Sequence, residues 1–479
     1  MLERSPSQTE DVASGAEPRR HRGGPVAVFL LLSLLFGPIV IALNPPMRGP
    51  DEAAHFLRAY GLARGEIIPR DEQEGRVGIW LPADIHAGLQ FFDDARYRKQ
   101  RGTAAELRAE YAGRQAADEI GTAARPRVFV PYQGTESYVP TAYVPEVLAA
   151  LIGRALDLGF VPLVYLMRAA AFLATTAIVA YAIALTPWLK WAFLLIGMLP
   201  AAFYGRTVIG ADGATVALTL LTSALALRAL KWGGAARRGE RAMWMTLCVL
   251  SKPPQLVFLA LEALPLLRTK PEPGRWRTAA LVVLPGLVLS PLWILATAGE
   301  MAAWRVIEGT GLPPEQFDPV WKMLFLFDNP LHFPRVMAAS FATHGGELWW
   351  QLIGVLGWLD TRLLAWVYPV LTALLVITAV ERFNLPARTR WRVLAVLSAI
   401  IAAYVIGVYL ILFLTWTPTA VDIVWGVQGR YFLVVLPAAA AIIALAAQRM
   451  APNALRVAAG AGGALIAAVA VVEALMRSP

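Results

Sequence analysis

Charged residues are scarce in this chain of 479 residues. Lys, Arg, Asp and Glu together make up 16% of it, while hydrophobic residues reach 57% and the mean hydropathy is +0.54. An average soluble domain is roughly 25% charged. This deficit excludes an ordinary soluble protein and indicates a polytopic membrane protein, in which the bilayer organises the chain and length gives no domain count.

Cysteine and the common nucleotide and metal motifs are also missing. The single cysteine, Cys248, excludes a disulfide within the chain and a cysteine-based metal site. The sequence has no zinc signature, Walker loop, nucleophile elbow or dinucleotide fingerprint. Its net charge is +9, but the basic residues lie in short segments between apolar runs and form no stripe with interleaved aromatics. We therefore expect the lipid bilayer as a partner and no nucleic acid.

Long apolar runs dominate what remains, and a helix needs roughly 20 apolar residues to cross a bilayer. Nine runs approach or meet this length: 25–43, 161–185, 188–204, 213–231, 277–297, 363–381, 392–414, 430–447 and 454–474. A further apolar stretch, 242–267, has basic residues at both ends. It is predicted to form a hairpin of two short helices, broken where Lys252 precedes two prolines. The sequence thus predicts an all-α polytopic membrane protein with about eleven membrane segments.

The charged flanks of these runs predict a topology. Basic residues at 19–22 precede the first run and no small-residue cleavage site follows it, so we expect a retained first span and a cytoplasmic N-terminus. Polar residues 1–24 are predicted to be disordered, and 25–479 to form one transmembrane domain. Its large extracytoplasmic loops are then 44–160 and 298–362. Short helices in the first loop are expected at Asp51–Arg64 and Ala83–Arg114, and Tyr132, Tyr138 and Tyr143 suit the membrane interface.

Two adjacent acids follow the first span. Asp51 and Glu52 come after three prolines that stiffen the approach. His55 and Arg58 follow Asp51 by four and seven residues, so a helix would place all three on one face, where His55 and Arg58 would orient the acid or bind the substrate. A carboxylate here could act as a general base towards a hydroxyl or amine. The pair could instead hold a divalent cation such as Mg²⁺ or Mn²⁺, or form the solvated start of a loop.

Basic residues at membrane depth form a second group. Lys252 lies at the break of the hairpin, Arg206 in a short outer loop, and Arg430 at the start of a late span in "GVQGRYF". Ionisable groups at this depth indicate function by default, although Arg and Lys near span ends often only reach the headgroups. Cations on the same side as an acid pair suit a lipid-linked phosphate. Gln428 and Tyr431 of the same motif join the substrate-binding candidates.

Four segments carry a resemblance to a known family. They are "PDEAAHFLRAYGLARGEIIP", "SKPP", "DNPLHF…IGVLGWLD" and "GVQGRYFLVVLP". From about residue 25 onward the chain resembles a family of bacterial integral membrane proteins of uncharacterised function that is grouped with the GT-C glycosyltransferases. The resemblance implies a GT-C-like bundle in the inner membrane that takes a sugar from a polyprenyl-phosphate donor on the extracytoplasmic side. It also implies that Asp51 or Glu52 acts as base or binds metal, and that Arg430 and Lys252 contact the donor phosphate.

The sequence therefore predicts a membrane hexosyl- or pentosyltransferase whose acceptor is an envelope polysaccharide, lipid or protein. Asp51 is the preferred base and Glu52 the alternative or a metal partner. A transporter or flippase of a lipid-linked precursor would need charges along a path at mid-membrane, where Glu262 and Asp212 are the few candidates. A non-catalytic component of a polysaccharide assembly complex is the third hypothesis.

Overall fold

The structure describes most of the chain as helices joined by short connections. In this computed structural model the described residues are 24–70, 72–73, 76–98, 102–117, 127–132, 134–297 and 311–477. The predicted disorder of residues 1–24 falls outside this description except for Gly24, and so does the start of the predicted second loop, 298–310. The predicted boundaries of the transmembrane domain stay predictions.

The described residues form α-helices, short β-strands and turns of 3-10 helix. The helices are α1 (Gly24–Leu43), α2 (Glu52–Leu62), α3 (Ala83–Ala95), α4 (Ala104–Ala116), α5 (Val144–Ala155), α6 (Phe160–Leu185), α7 (Lys190–Met198), α8 (Pro200–Gly205), α9 (Ala211–Trp232), α10 (Arg238–Ser251), α11 (Ala263–Leu266), α12 (Arg275–Ala296), α13 (Pro319–Asp328), α14 (His332–Gly354), α15 (Val367–Ala379), α16 (Ala387–Thr415), α17 (Leu436–Ala447) and α18 (Asn453–Arg477). The strands are β1 (Glu72–Gln73), β2 (Arg76–Leu81), β3 (Val128–Pro131), β4 (Val355–Leu356) and β5 (Thr361–Arg362). Turns of 3-10 helix lie at Pro140–Tyr143, Ala235–Arg237, Pro253–Glu262, Pro314–Phe317 and Gly429–Val435.

Seven helical segments of the described chain are long and apolar enough to cross a membrane. They are α1, α6, α9, α12, α16, Gly429–Ala447 and α18. In the most apolar stretch of α9, 89% of the residues are buried inside the protein, against 22% in α12. α9 is therefore central in the bundle, while α12 is peripheral and exposes leucines that suit a lipid surface. The prediction of a polytopic, mainly helical membrane protein is confirmed.

Two predicted spans form shorter helices. The run 188–204 gives α7 and α8, which are separated at Leu199 because its extended backbone, with ψ 138°, precedes Pro200. The run 363–381 gives α15, of 13 residues. The count of eleven membrane segments therefore stays a prediction.

The predicted hairpin breaks at the expected residue. α10 ends at Ser251, and Lys252 is extended, with φ −155° and ψ 147°. The following prolines lack N–H donors, which explains the interruption. The second of the two predicted short helices is mainly a 3-10 helix. Arg241 at the start of the first arm forms an ion pair with Glu262 at the end of the second, so the two arms run antiparallel.

The first loop folds into a small cap of helices and strands. The short helix expected at Asp51–Arg64 is α2, and all eleven of its residues are buried. Strands β1, β2 and β3 form an antiparallel sheet that the sequence analysis did not predict, with Ile79 opposite Val130. Phe56, Phe92 and Phe160 pack together and join α2 and α3 to the start of α6. The cap thereby fixes the start of α2 against the end of the bundle.

Candidate functional site

Asp51 precedes α2 in a backbone conformation that few residues other than glycine adopt. Its φ of 54° and ψ of 20° are left-handed, and its side chain makes no capping bond to the helix. Oδ2 instead accepts a hydrogen bond of 3.0 Å from Nη2 of Arg430. The Asp51 side chain is 42% exposed. The turn thus directs a half-exposed carboxylate towards a cation that is 379 positions away in the sequence.

Arg430 also contacts a second carboxylate. Its Nε lies 3.4 Å from Oδ2 of Asp212, in the first turn of α9. The other oxygen of Asp212 pairs with Nζ of Lys252 at the break of the hairpin. Lys252 and Arg430 are 13% and 10% exposed, so both charges are largely shielded from water. We call Asp51, Asp212, Lys252 and Arg430 the charge cluster.

Tyrosine rings form the walls of the charge cluster. Nζ of Lys252 lies 5.2 Å from the ring centroid of Tyr431 and 5.8 Å from that of Tyr138. Such contacts with aromatic faces attract a cation. Tyr404 donates a hydrogen bond of 3.2 Å to the carbonyl oxygen of Tyr431. Tyr138 therefore contributes to the site, although its spacing in the sequence suits an interface anchor equally well.

His55 is buried next to the charge cluster. Its Nδ1 lies 2.6 Å from the hydroxyl of Tyr143. A cavity of about 30 Å³, enough for a water molecule, is lined by His55, Asp212 and Arg430. Burial lowers the pKa of His55 to about 4, although the charges of Asp51 and Asp212 raise it. The imidazole is therefore neutral near pH 7, and its contact with the Tyr143 hydroxyl joins α2 to the turn at Pro140–Tyr143.

Glu52 is held in a different environment from its neighbour Asp51. It is fully buried, and Arg168 donates to its two oxygens from Nε and Nη2 at 2.7 Å each. The backbone N–H groups of Gly49 and Ile209 donate to the same carboxylate at 2.9 and 3.0 Å. Four donors and no exposed surface leave no place for a substrate. Glu52 anchors the loop, and its geometry does not suit the role of alternative base.

Replacing Glu52 with Gln is expected to lower the free energy of unfolding by about 3–5 kcal/mol, because it leaves the Arg168 guanidinium buried without a counter-ion. Denaturant unfolding of the purified protein in one detergent measures this change. The control is Glu110→Gln, which removes ion pairs of a carboxylate that is 34% exposed and should cost less than about 1 kcal/mol. A Glu52 variant as stable as the control would show that the buried pair does not hold the loop.

Two arginines that the sequence predicts as substrate-binding residues contact no member of the charge cluster. Arg58 is buried and donates to the carbonyl oxygens of Tyr138, Glu66 and Ile67 at 2.8 to 3.1 Å. It therefore fixes the segment that carries Tyr138. Arg206 is buried inside the bundle, where it donates to the Thr176 hydroxyl and a backbone carbonyl. Neither position suits direct contact with a substrate phosphate.

The remaining candidates lie at the start of Gly429–Ala447: Gln428 directly precedes this segment and Tyr431 lies in its first turn. Tyr431 forms part of the aromatic wall, and Gln428 is half-buried with its Oε1 lacking a hydrogen-bond partner among the described residues. Asp212 is the residue whose role the sequence analysis missed. The sequence feature that could have identified it is an acidic residue in the first turn of an apolar span. The helix dipole also favours an acid at this position. Its common contact with Lys252 and Arg430 exists only in three dimensions.

The donor set of the charge cluster does not fit a divalent cation. Among the described residues, no three His, Cys, Asp or Glu side chains lie close enough together to hold a metal ion. Arg430 bridges the carboxylates of Asp51 and Asp212, and Lys252 pairs with the latter. A Mg²⁺ or Mn²⁺ ion between the two acids would be repelled by both side-chain cations.

Comparison with known proteins identifies a family. The family model described as predicted membrane protein (DUF2142) matches residues 34–439, which include the whole charge cluster. The chain therefore belongs to this family, and its apolar helices agree with a multi-pass membrane location. No curated protein and no solved structure matches the chain.

Proposed function

We propose that this member of the DUF2142 family is a GT-C-type glycosyltransferase. It would move a hexosyl or pentosyl group from a polyprenyl-phosphate donor to an envelope polysaccharide, lipid or protein on the extracytoplasmic side of the bacterial inner membrane. The observation that carries the proposal is the half-exposed carboxylate of Asp51, 3.0 Å from Arg430 and joined to Lys252 through Asp212. An acid beside shielded cations suits base catalysis next to a phosphate leaving group.

The chemical step follows from this arrangement. The Asp51 carboxylate takes the proton of the acceptor hydroxyl or amine as the acceptor atom attacks the anomeric carbon of the sugar. The bond from that carbon to the phosphate oxygen breaks, and polyprenyl phosphate leaves with the electron pair. Arg430 and Lys252 stabilise the charge that develops on the phosphate. Arg430 carries five N–H donors and Lys252 three, more than the two carboxylates engage.

Asp212 has a supporting role in this proposal. Both cations contact it, and its side chain is less exposed than that of Asp51, at 26% against 42%. It therefore suits a counter-ion that holds Lys252 and Arg430 beside the phosphate, while Asp51 keeps access to the acceptor.

The proposed topology extends the seven long segments to eleven. α7 with α8, the two arms of the hairpin and α15 supply the four further segments. The basic residues at 19–22 support a cytoplasmic N-terminus. The charge cluster, which lies beyond the end of α1, would then face the extracytoplasmic side.

A second cavity suits the acceptor. It has a volume of about 290 Å³ and is lined by polar and aromatic side chains, including His344, Gln351, Tyr409 and Trp425. The hydroxyl of Tyr409 is buried without a hydrogen-bond partner among the described residues. Gln351 accepts a hydrogen bond of 2.7 Å from the backbone N–H of Gly429. The cavity therefore adjoins the segment that carries Arg430 and could present an acceptor to the charge cluster.

Replacing Trp425 with Ala is then expected to raise the KM for the acceptor about tenfold and to leave the KM for the lipid-linked donor unchanged, because only the acceptor cavity loses a wall. Steady-state transfer measured against each substrate in turn separates the two values. An equal rise in both would place the cavity outside the acceptor site.

The proposal as a whole is tested by reconstituting the purified protein with a labelled polyprenyl-phosphate sugar and an envelope extract. A new glycosidic bond on the acceptor supports it. Movement of the labelled lipid across the bilayer with no new bond would favour a flippase.

A further inference from the structure

Two adjoining cavities lie beside α1, and they share no lining residue with the charge cluster. The larger lies between α1 and α6, has a volume of about 550 Å³ and is lined mainly by apolar side chains, including Leu34, Ile41 and Leu173. The smaller lies between the ends of α1 and α18 and the helices α3 and α4; it has a volume of about 300 Å³, and three arginines stand among its apolar lining residues. The two meet at Ala42 and Arg108, which line both. An apolar groove thus ends in a basic pocket.

The apolar groove opens on the surface that faces lipid. Leu34 of α1 and Leu173 of α6 are 51% and 55% exposed, and both belong to helices that can span a membrane. From Leu34 to Ile41 the groove follows α1 for about 10 Å, at 1.5 Å a residue. A groove of this kind suits an extended hydrocarbon chain that enters from the bilayer.

The basic pocket lies where α1 ends. Nη1 of Arg108, on α4, donates to the carbonyl oxygen of Ala42 at 3.2 Å and to the hydroxyl of Tyr165 at 2.7 Å. Within the described part of the chain, Arg108 has no carboxylate at ion-pair distance. Its guanidinium is therefore a charge without a counter-ion among the described residues, at the boundary between the apolar groove and the helices of the first loop.

The other two arginines of the pocket lie close to carboxylates. Arg48 lies 3.2 Å from Asp360, and Arg96 lies 3.1 Å from Asp93. Arg108 therefore gives the pocket a positive charge that no carboxylate of the described residues pairs with. This charge favours an anion.

We propose that the pocket and groove bind one anionic phospholipid of the membrane. Its phosphate binds to Arg108 next to Arg48 and Arg96, and one of its acyl chains lies in the groove between α1 and α6. A guanidinium matches phosphate oxygens in geometry as well as charge. Because the apolar groove continues from the basic pocket, the site favours a phosphate attached to a hydrocarbon chain and disfavours a soluble phosphate.

The bound lipid would also hold the loop that carries Asp51. Pro45, Pro46 and Arg48 of that loop form part of the pocket wall. The carbonyl oxygen of Pro45 accepts a hydrogen bond of 2.7 Å from Arg168. A ligand that binds only the folded state raises the unfolding temperature of the protein.

The test measures unfolding of the full-length protein in detergent with phosphatidylglycerol, phosphatidylcholine or inorganic phosphate added. Phosphatidylglycerol is expected to raise the unfolding temperature most, and inorganic phosphate at the same concentration to leave it unchanged. Equal effects of phosphatidylglycerol and phosphatidylcholine would overturn the proposal, and so would an equal effect of inorganic phosphate.

Two variants locate the site. Arg108→Gln is expected to weaken phosphatidylglycerol binding at least tenfold in native mass spectrometry, while Arg114→Gln, on the same helix outside the pocket, binds as the wild type does. Leu173→Trp fills the groove from an exposed position that folding does not depend on, and it should weaken binding to a similar extent. Wild-type binding by Leu173→Trp, or by a folded Arg108→Gln protein, would show that the lipid binds elsewhere.

Discussion

Replacing Asp51 with Asn is expected to lower the rate of sugar transfer by about 10²–10⁴-fold, because a positioned general base contributes that much to a proton transfer. Asn keeps the size of the side chain and tolerates the left-handed backbone at φ 54°. The loop should therefore keep its conformation, and the loss should appear in kcat. Single-turnover transfer in proteoliposomes measures it.

Asp84→Asn is the matched control for this variant. Asp84 lies in the first turn of α3, in the same cap, and outside the charge cluster. It should transfer sugar at the wild-type rate, and both variants should unfold at the wild-type temperature. A rate for Asp51→Asn within about threefold of the control would remove Asp51 from the chemistry.

Replacing Arg430 with Gln is expected to lower transfer by about 10²–10³-fold, as the loss of one group that stabilises transition-state charge does in other enzymes. Arg430→Lys should recover only part of this loss, because an ammonium group cannot bridge Asp51 and Asp212 as the guanidinium does. Lys252→Gln should act in the same direction. The rate and the donor KM, measured together, separate lost charge stabilisation from lost binding.

Arg430→Gln leaves two carboxylates without their common partner, so folding needs its own control. The folding control is Arg430→Lys, which keeps a positive charge beside Asp51 and Asp212 and should unfold near the wild-type temperature. Arg277→Gln changes an exposed arginine at the start of α12 and should behave as the wild type does. A folded Arg430→Gln protein with wild-type transfer would show that Arg430 does not bind the phosphate.

The positions of the charged residues support a transporter less well than they support a glycosyltransferase. Glu262 pairs with Arg241 between the ends of the hairpin arms, and Asp212 belongs to the charge cluster. Neither carboxylate lies unpaired along a path through the bundle. A flippase would be expected to have such groups, because uncompensated charge at membrane depth is kept where it serves transport.

The long apolar helices were predictable from the sequence because hydropathy alone defines them. α1, α6 and α9 begin and end within two residues of the predicted spans. The break at Lys252 was predictable from local chemistry, since two prolines follow it. The sheet β1–β3 was missed because two of its strands have only two and four residues, too few to show alternation.

Three members of the charge cluster could be identified from the sequence, but their contacts with one another could not. Asp51, Lys252 and Arg430 are charged residues within or beside apolar runs, and the neighbouring sequence alone reveals this. Asp51 and Glu52 look alike in sequence, and only the contact of Glu52 with Arg168, 116 positions away, separates their roles. Burial of α2 on every side likewise depends on α5 and on other segments that are distant along the chain.

The anomeric configuration of the transferred sugar tests the assignment of Asp51 as base most directly. A single in-line displacement, in which Asp51 only removes a proton, inverts the configuration at the anomeric carbon. We therefore expect nuclear magnetic resonance of the product to show the configuration opposite to that of the donor. A product that retains the donor configuration would exclude a single in-line displacement and would contradict the proposed role of Asp51.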